Sequence, residues 1–143
     1  MSEEQIKYQK HYIPLTRDEL VERLHLALRP KRFNHVLRVE KTAIKLAKTN
    51  GVDPEKASIA GLCHDYAKQR PDDVFIQVIK DKKMSPELLN YGNAIWHGVV
   101  GAELLKDELG IWDEDILNAV RHHTTGAAIM SKLEQHSKIG YID

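Results

Sequence analysis

Apolar residues recur at three- and four-residue intervals from Leu20 onward, and proline, glycine and capping residues cut that pattern into helix-length segments. No stretch alternates Val, Ile or Tyr with polar positions as a strand would, so the pattern predicts an all-α fold. The first helix starts at Thr16, where Glu19 completes a capping box; it carries Leu20, Leu24 and Leu28 on one stripe and ends before Pro30. A second runs from about Phe33 to Lys48, with Val36, Val39, Ala43, Ile44 and Ala47 inward and Asn50-Gly51 as its stop. The third opens at Asp53-Pro54 and continues through Ala57, Ile59, Ala60, Leu62, Cys63, Tyr66 and Ala67. Being apolar on nearly every side, it is expected at the centre of a bundle.

Shorter helices follow over Asp72–Lys80 and from Ser85-Pro86 to about Gly92, with the charged run Lys80-Asp81-Lys82-Lys83 between them read as a solvated turn. One continuous helix is expected from Asn93 to Leu109, burying Ile95, Val99, Ala102 and Leu105 and closed by Gly110. Asp113 then caps another that carries Ile116, Leu117 and Val120 and reaches His122-His123.

A chain of 143 residues is the size of one domain with a proper core, so residues 1–143 are read as a single domain. Residues 1–14 read as a flexible N-terminal arm, and 131–143 as an incomplete C-terminal helix without a recognisable cap or packing partner. Lys and Arg total 21 against 21 Asp and Glu, which removes any general electrostatic reason to bind nucleic acid or an acidic membrane. Phosphate recognition, if present, must be local. The single cysteine, Cys63, leaves neither a disulfide framework nor a cysteine zinc site. With a polar N-terminus and no apolar run of about 18 residues, the expected compartment is the reducing cytoplasm, with no membrane span.

Against that background His64-Asp65 stands out. An imidazole and a carboxylate inside an apolar helix cost several kcal/mol of desolvation unless compensated, and a divalent cation compensates both. A His-Asp dipeptide alone is common by chance; its apolar setting and the other histidines give it weight. His35, in the first turn of the second helix, is the natural third ligand. Lys68 lies four positions after His64, one helical turn away, within reach of a phosphate oxygen, and Arg32 and Arg38 flank His35 by three residues on either side. At Trp96-His97-Gly98-Val99-Val100-Gly101, the glycines let either a ligand or a packed backbone approach the imidazole. Arg121-His122-His123-Thr124-Thr125-Gly126 gathers cationic and hydroxyl groups where a helix stops, as a phosphate cradle or an ordinary polar terminus would. His11, His25 and His136 read as surface or packing residues.

His35, the run Leu62-Cys63-His64-Asp65-Tyr66-Ala67-Lys68, His97-Gly98 with Gly101-Ala102, and His122-His123-Thr124-Thr125-Gly126 occur in an order and spacing that resemble the YqeK-type HD-domain hydrolases of bacteria, which split diadenosine tetraphosphate into two ADP. The resemblance extends from about Pro30 to Glu134. It implies an HD-domain helical bundle whose His35, His64 and Asp65 hold a divalent metal, iron first, with manganese or another divalent ion as substitutes. It further implies catalytic roles for Asp65 and Lys68, and places Arg32, His97, His122 and His123 against the nucleotide phosphates. The implied partners are a dinucleotide substrate and ADP, and a homodimer is compatible with it. The resemblance departs at the C-terminus, where the family has Ala-Asp-Tyr-Ile-Glu-Pro and its Asp completes the metal site. By one register that Asp falls on Tyr141 and by another on Gly140, with Asp143 the nearest substitute carboxylate. The alternative expectation is therefore a catalytically impaired domain that keeps nucleotide binding or a regulatory role.

Overall fold

The computed structural model describes residues 6–122, so His123 and the expectations for 123–126 and 131–143 lie outside the described residues. Within them the chain forms seven α-helices and one short 3₁₀ helix, with no strand. They are α1 (Arg17–Ala27), α2 (Pro30–Asn50), α3 (Pro54–Cys63), α4 (Asp72–Asp81), the 3₁₀ helix (Pro86–Asn90), α5 (Asn93–Val99), α6 (Gly101–Leu109) and α7 (Glu114–His122).

The local start signals operate as the sequence implies. Thr16 and Glu19 form a reciprocal capping box at α1, and the Asp53 side chain accepts the Glu55 N–H at α3. Asp113 does the same for the Ile116 N–H at α7. Pro30 closes nothing: α1 has already ended, and the proline is the first residue of α2, where its missing N–H costs no hydrogen bond. The second helix thus begins three residues earlier than its apolar stripe indicates.

Helix α3 is the core element. Ala57, Ser58, Ile59, Ala60, Gly61, Leu62 and Cys63 are all buried, and α1, α2 and α7 pack around it. Its closest neighbour is α2: a β-carbon at Gly61 would lie 2.8 Å from Glu40 Cα and 3.1 Å from Glu40 N, so the two backbones touch where no side chain fits. Beside this crossing sits a buried polar knot. Arg17 donates to both Glu40 carboxylate oxygens at 2.8 and 2.6 Å, and the Ser58 hydroxyl donates to Glu40 Oε2 at 2.7 Å. The Tyr8 hydroxyl meets Ser58 Oγ at 2.6 Å.

Residues 6–15, the described part of the N-terminal arm, have no regular structure but lie along α3. Gln9 and Lys10 N–H groups donate to Glu55, the Tyr12 hydroxyl donates to Asp53, and Ile13 is buried. Two corrections concern the second half. The expected 93–109 helix is two helices, α5 and α6, parting at Val100. Ile95 is exposed, because Trp96 takes the inner position with its indole N–H on Leu88 O at 2.8 Å and its ring against Phe75. The run 80–83 is the solvated stretch expected, with Lys80, Asp81 and Lys83 exposed and a turn at Lys82-Lys83; α4 extends one residue further, to Asp81, and Lys82 reaches Glu103 and Asp107 on α6. No described helix is long and apolar enough to cross a membrane.

Candidate metal centre

The apolar run that predicts one helix through Ala67 holds a bend. Helix α3 ends at Cys63, and His64 to Arg70 descend as successive tight turns, with N–H groups of Tyr66, Lys68 and Arg70 bonded three residues back. His64 and Asp65 are therefore not in mid-helix: they cap α3 and open the turn, which frees both side chains from helical geometry. Periodicity misses this because the turn is as buried as the helix, with Tyr66 and Ala67 also in the core. The placement of Lys68 one helical turn from His64 fails for the same reason; it lies on the turn, half-buried.

The turn is braced from two sides. Tyr66 donates its hydroxyl to Glu108 at 2.5 Å, and Arg70 grips the same carboxylate through both terminal nitrogens at 3.1 and 2.6 Å. Arg70 holds the Glu108 carboxyl below its ordinary range, whereas burial and that carboxylate push Tyr66 up to about 12. From α5, the Asn93 side-chain amide donates to Lys68 O at 2.7 Å.

Asp65 is the hub. Its Oδ2 lies 3.4 Å from His64 Nε2, 3.6 Å from His35 Nε2 and 3.0 Å from Arg32 Nη1, and its Oδ1 lies 3.5 Å from His97 Nε2. His64, Asp65 and His97 are buried, while His35 is about one-third exposed on α2. The structure thus brings together Arg32, His35, His64, Asp65 and His97 from α2, the α3 turn and α5. His122 ends α7 on the exposed side.

Hydrogen bonding fixes which way the imidazoles face. His64 Nδ1 meets Gly61 O at 2.8 Å and His97 Nδ1 meets Asn93 O at 2.7 Å. A carbonyl can only accept, so each Nδ1 carries the proton. In neutral His64 the Nε2 lone pair then points at a carboxylate, acceptor against acceptor. That nitrogen is the one buried side-chain nitrogen or oxygen without a hydrogen-bond partner among the described residues. Burial also pulls the pKa of His64 and of His35 below the ordinary imidazole value, Asp65 opposing and, at His35, Arg32, Arg38 and Lys68 adding to the fall. Protonation is therefore a poor remedy.

A cation fits. One nitrogen from each of His35 and His64 and one oxygen from Asp65 lie within 4.8 Å of one another. Ligands about 2.1 Å from one ion stand roughly 3 to 3.4 Å apart, close to the separations of His64 and His35 from Asp65. Reading the sequence misses two backbone supports, the carbonyls of Gly61 and Asn93; their signal is positional, three and four residues before the histidines they hold.

Gly98 settles the question left by the glycines near His97. A β-carbon there would lie 2.9 Å from both Val120 O and Arg121 O, so this glycine serves the packing of α5 on the last turn of α7. Gly98→Ala is expected to cost about 1–3 kcal/mol in urea unfolding, as overpacking of a fixed backbone does; a loss below about 0.5 kcal/mol would show that the crossing relaxes freely.

These features define a class of helical domain in which two histidines and an aspartate from adjoining elements form a site for a divalent cation. The HD domain family model matches residues 32–140, and the chain belongs to that family. It is 42% identical over 121 residues to the symmetrical bis(5'-nucleosyl)-tetraphosphatase of Bacillus subtilis, covering 85% of this chain and 65% of that protein. The protein of the same name from Halalkalibacterium halodurans is 43% identical over 104 residues, 73% of this chain and 56% of its own. The chain thus spans less than two thirds of the length of these relatives. A crystal structure from Clostridium acetobutylicum, described as a predicted HD superfamily hydrolase involved in NAD metabolism, superimposes with a TM-score of 0.72 at 32% identity, over 90% of this chain and 71% of that one.

Proposed function

We propose that the chain is a metal-dependent phosphohydrolase that cleaves dinucleoside tetraphosphates symmetrically, diadenosine tetraphosphate giving two ADP. The observation that carries the reading is the buried, partnerless His64 Nε2 turned toward Asp65 with His35 alongside. The substrate class rests on relatives named for that activity. His35, His64 and Asp65 hold the cation; the family resemblance puts iron first and manganese next, and a donor set of imidazole and carboxylate accepts either. When bound, it supplies Lewis acidity toward water and a phosphoryl oxygen.

The chain's own groups do the rest. A water oxygen bonds to one of the two central phosphorus atoms, the central P–O–P bridge breaks, and one ADP leaves. Asp65 orients that water with its carboxylate, which three imidazoles surround. Arg32, whose guanidinium uses one of its five donors on Asp65, meets the phosphate chain together with Lys68, His97 and His122. His123 joins them by resemblance. The positive charge of Arg32 and Lys68 offsets what develops on the leaving ADP. The balanced net charge and the buried Cys63 agree with a cytoplasmic nucleotide enzyme rather than a nucleic-acid binder.

The test is to purify the protein, assay its iron, manganese and zinc, and follow products from diadenosine tetraphosphate with and without chelator. Two ADP per substrate, lost on chelation and restored by metal, is the expected result. ATP with AMP would overturn the symmetric cleavage, and ADP binding without turnover would replace the enzyme with a nucleotide-binding domain.

A further inference from the structure

The α2–α3 crossing and the cluster share one residue. Gly61 is where the two helix backbones meet: an added β-carbon would stand 2.8 Å from Glu40 Cα, 3.1 Å from Glu40 N and 3.4 Å from Val39 C. All three are main-chain atoms, so no rotamer change can relieve the clash; α2 would have to move as a body. Helix α2 carries His35, Arg32 and Glu40, whereas His64 follows α3 without a break. Any widening at Gly61 is therefore transmitted to the gap between His35 and His64, whose rings now lie 5.4 Å apart.

The same residue acts a second time through its carbonyl. Gly61 O accepts the His64 Nδ1–H at 2.8 Å. In a regular helix this carbonyl would accept the N–H of Asp65; because the helix stops at Cys63, it is left for the imidazole. That bond holds the proton on Nδ1 and turns Nε2 to within 3.4 Å of Asp65.

We propose that Gly61 is a positioning residue for the metal cluster: its missing side chain sets the distance between His35 and His64, and its carbonyl holds His64 in the tautomer that presents Nε2 to the ion. The proposal rests on the metal reading above. It does not depend on the identity of the substrate.

The test compares wild type, Gly61→Ala and Gly92→Ala, the last chosen because a β-carbon there meets nothing within 4 Å. The probe is cobalt(II), whose visible absorption reports ligand number and geometry. Gly61→Ala is expected to weaken cobalt binding about ten- to hundredfold and to alter the spectrum at saturation, while Gly92→Ala matches wild type in both. A spectroscopic change at saturation separates positioning from a loss of stability alone. Affinity within twofold of wild type with the same spectrum overturns the proposal. Wild-type protein that binds no cobalt overturns the metal reading, and the proposal with it. Should Gly61→Ala fail to unfold cooperatively, long-range ¹H–¹⁵N spectra of metal-free wild type decide: the proton of His64 is expected on Nδ1, and finding it on Nε2 sinks the idea.

Discussion

His64→Leu is expected to abolish metal uptake while leaving the metal-free protein at least as stable as wild type. The two effects have one origin. His64 is buried with Nε2 unpartnered and facing Asp65, so without a cation the imidazole carries a desolvation cost of about 1–3 kcal/mol. Leucine gives up the bond to Gly61 O, worth about 1 kcal/mol, but removes that cost and nearly fills the space. Loss of a ligand should weaken binding by more than the roughly hundredfold that loss of a supporting partner brings. Saturating metal at 100 times its dissociation constant should add about 2.7 kcal/mol to wild type and nothing to the variant. Metal analysis and urea unfolding, each with and without metal, measure both effects. A metal-free variant several kcal/mol weaker than wild type would make His64 an ordinary packing residue.

Arg17→Met should be the most damaging single change outside the cluster itself. Glu40 is buried, and its charge is met by both Arg17 nitrogens and the Ser58 hydroxyl. Removing the guanidinium leaves a buried carboxylate without its counter-charge, at a cost of about 3–5 kcal/mol. That is comparable to the whole stability of many domains of this size. Replacing both partners, Arg17→Met with Glu40→Leu, should recover most of the loss, because two well-packed apolar side chains need no counter-charge. Urea midpoints of the single and double variants test this; a double variant no better than Arg17→Met would show that Glu40 does more than answer Arg17.

Features encoded within a few residues were legible in the sequence, and those made by distant or main-chain partners were not. Thr16 with Glu19, Asp53 with Pro54, and Gly51 and Gly110 just past helix ends each act over a few residues, so helix borders were legible there. The histidines and Asp65 were legible as chemistry because polar groups in an oily segment demand an explanation. Where α3 ends was not, since Leu62 to Ala67 would be equally buried in a helix and in an enclosed turn. The break at Val100 escaped for a related reason: its neighbours pack as well in two helices as in one. Glu40 is buried and paired with Arg17, twenty-three positions away, and no local pattern encodes that. The supports from Gly61 O and Asn93 O are main-chain atoms, which residue identity does not reveal.

The hub carboxylate draws its neighbours from stretches of chain that lie far apart: 32–35, 64–65 and 97. None of these stretches holds a usable set of donors by itself. Individual helices can form early from contacts within themselves, but the cluster exists only once α2, the α3 turn and α5 have docked, and long-range docking is the slow part of folding. Helix content is consequently a poor gauge of a competent site; tight cation binding is the sharper one, because it reports tertiary assembly that far-ultraviolet circular dichroism does not see.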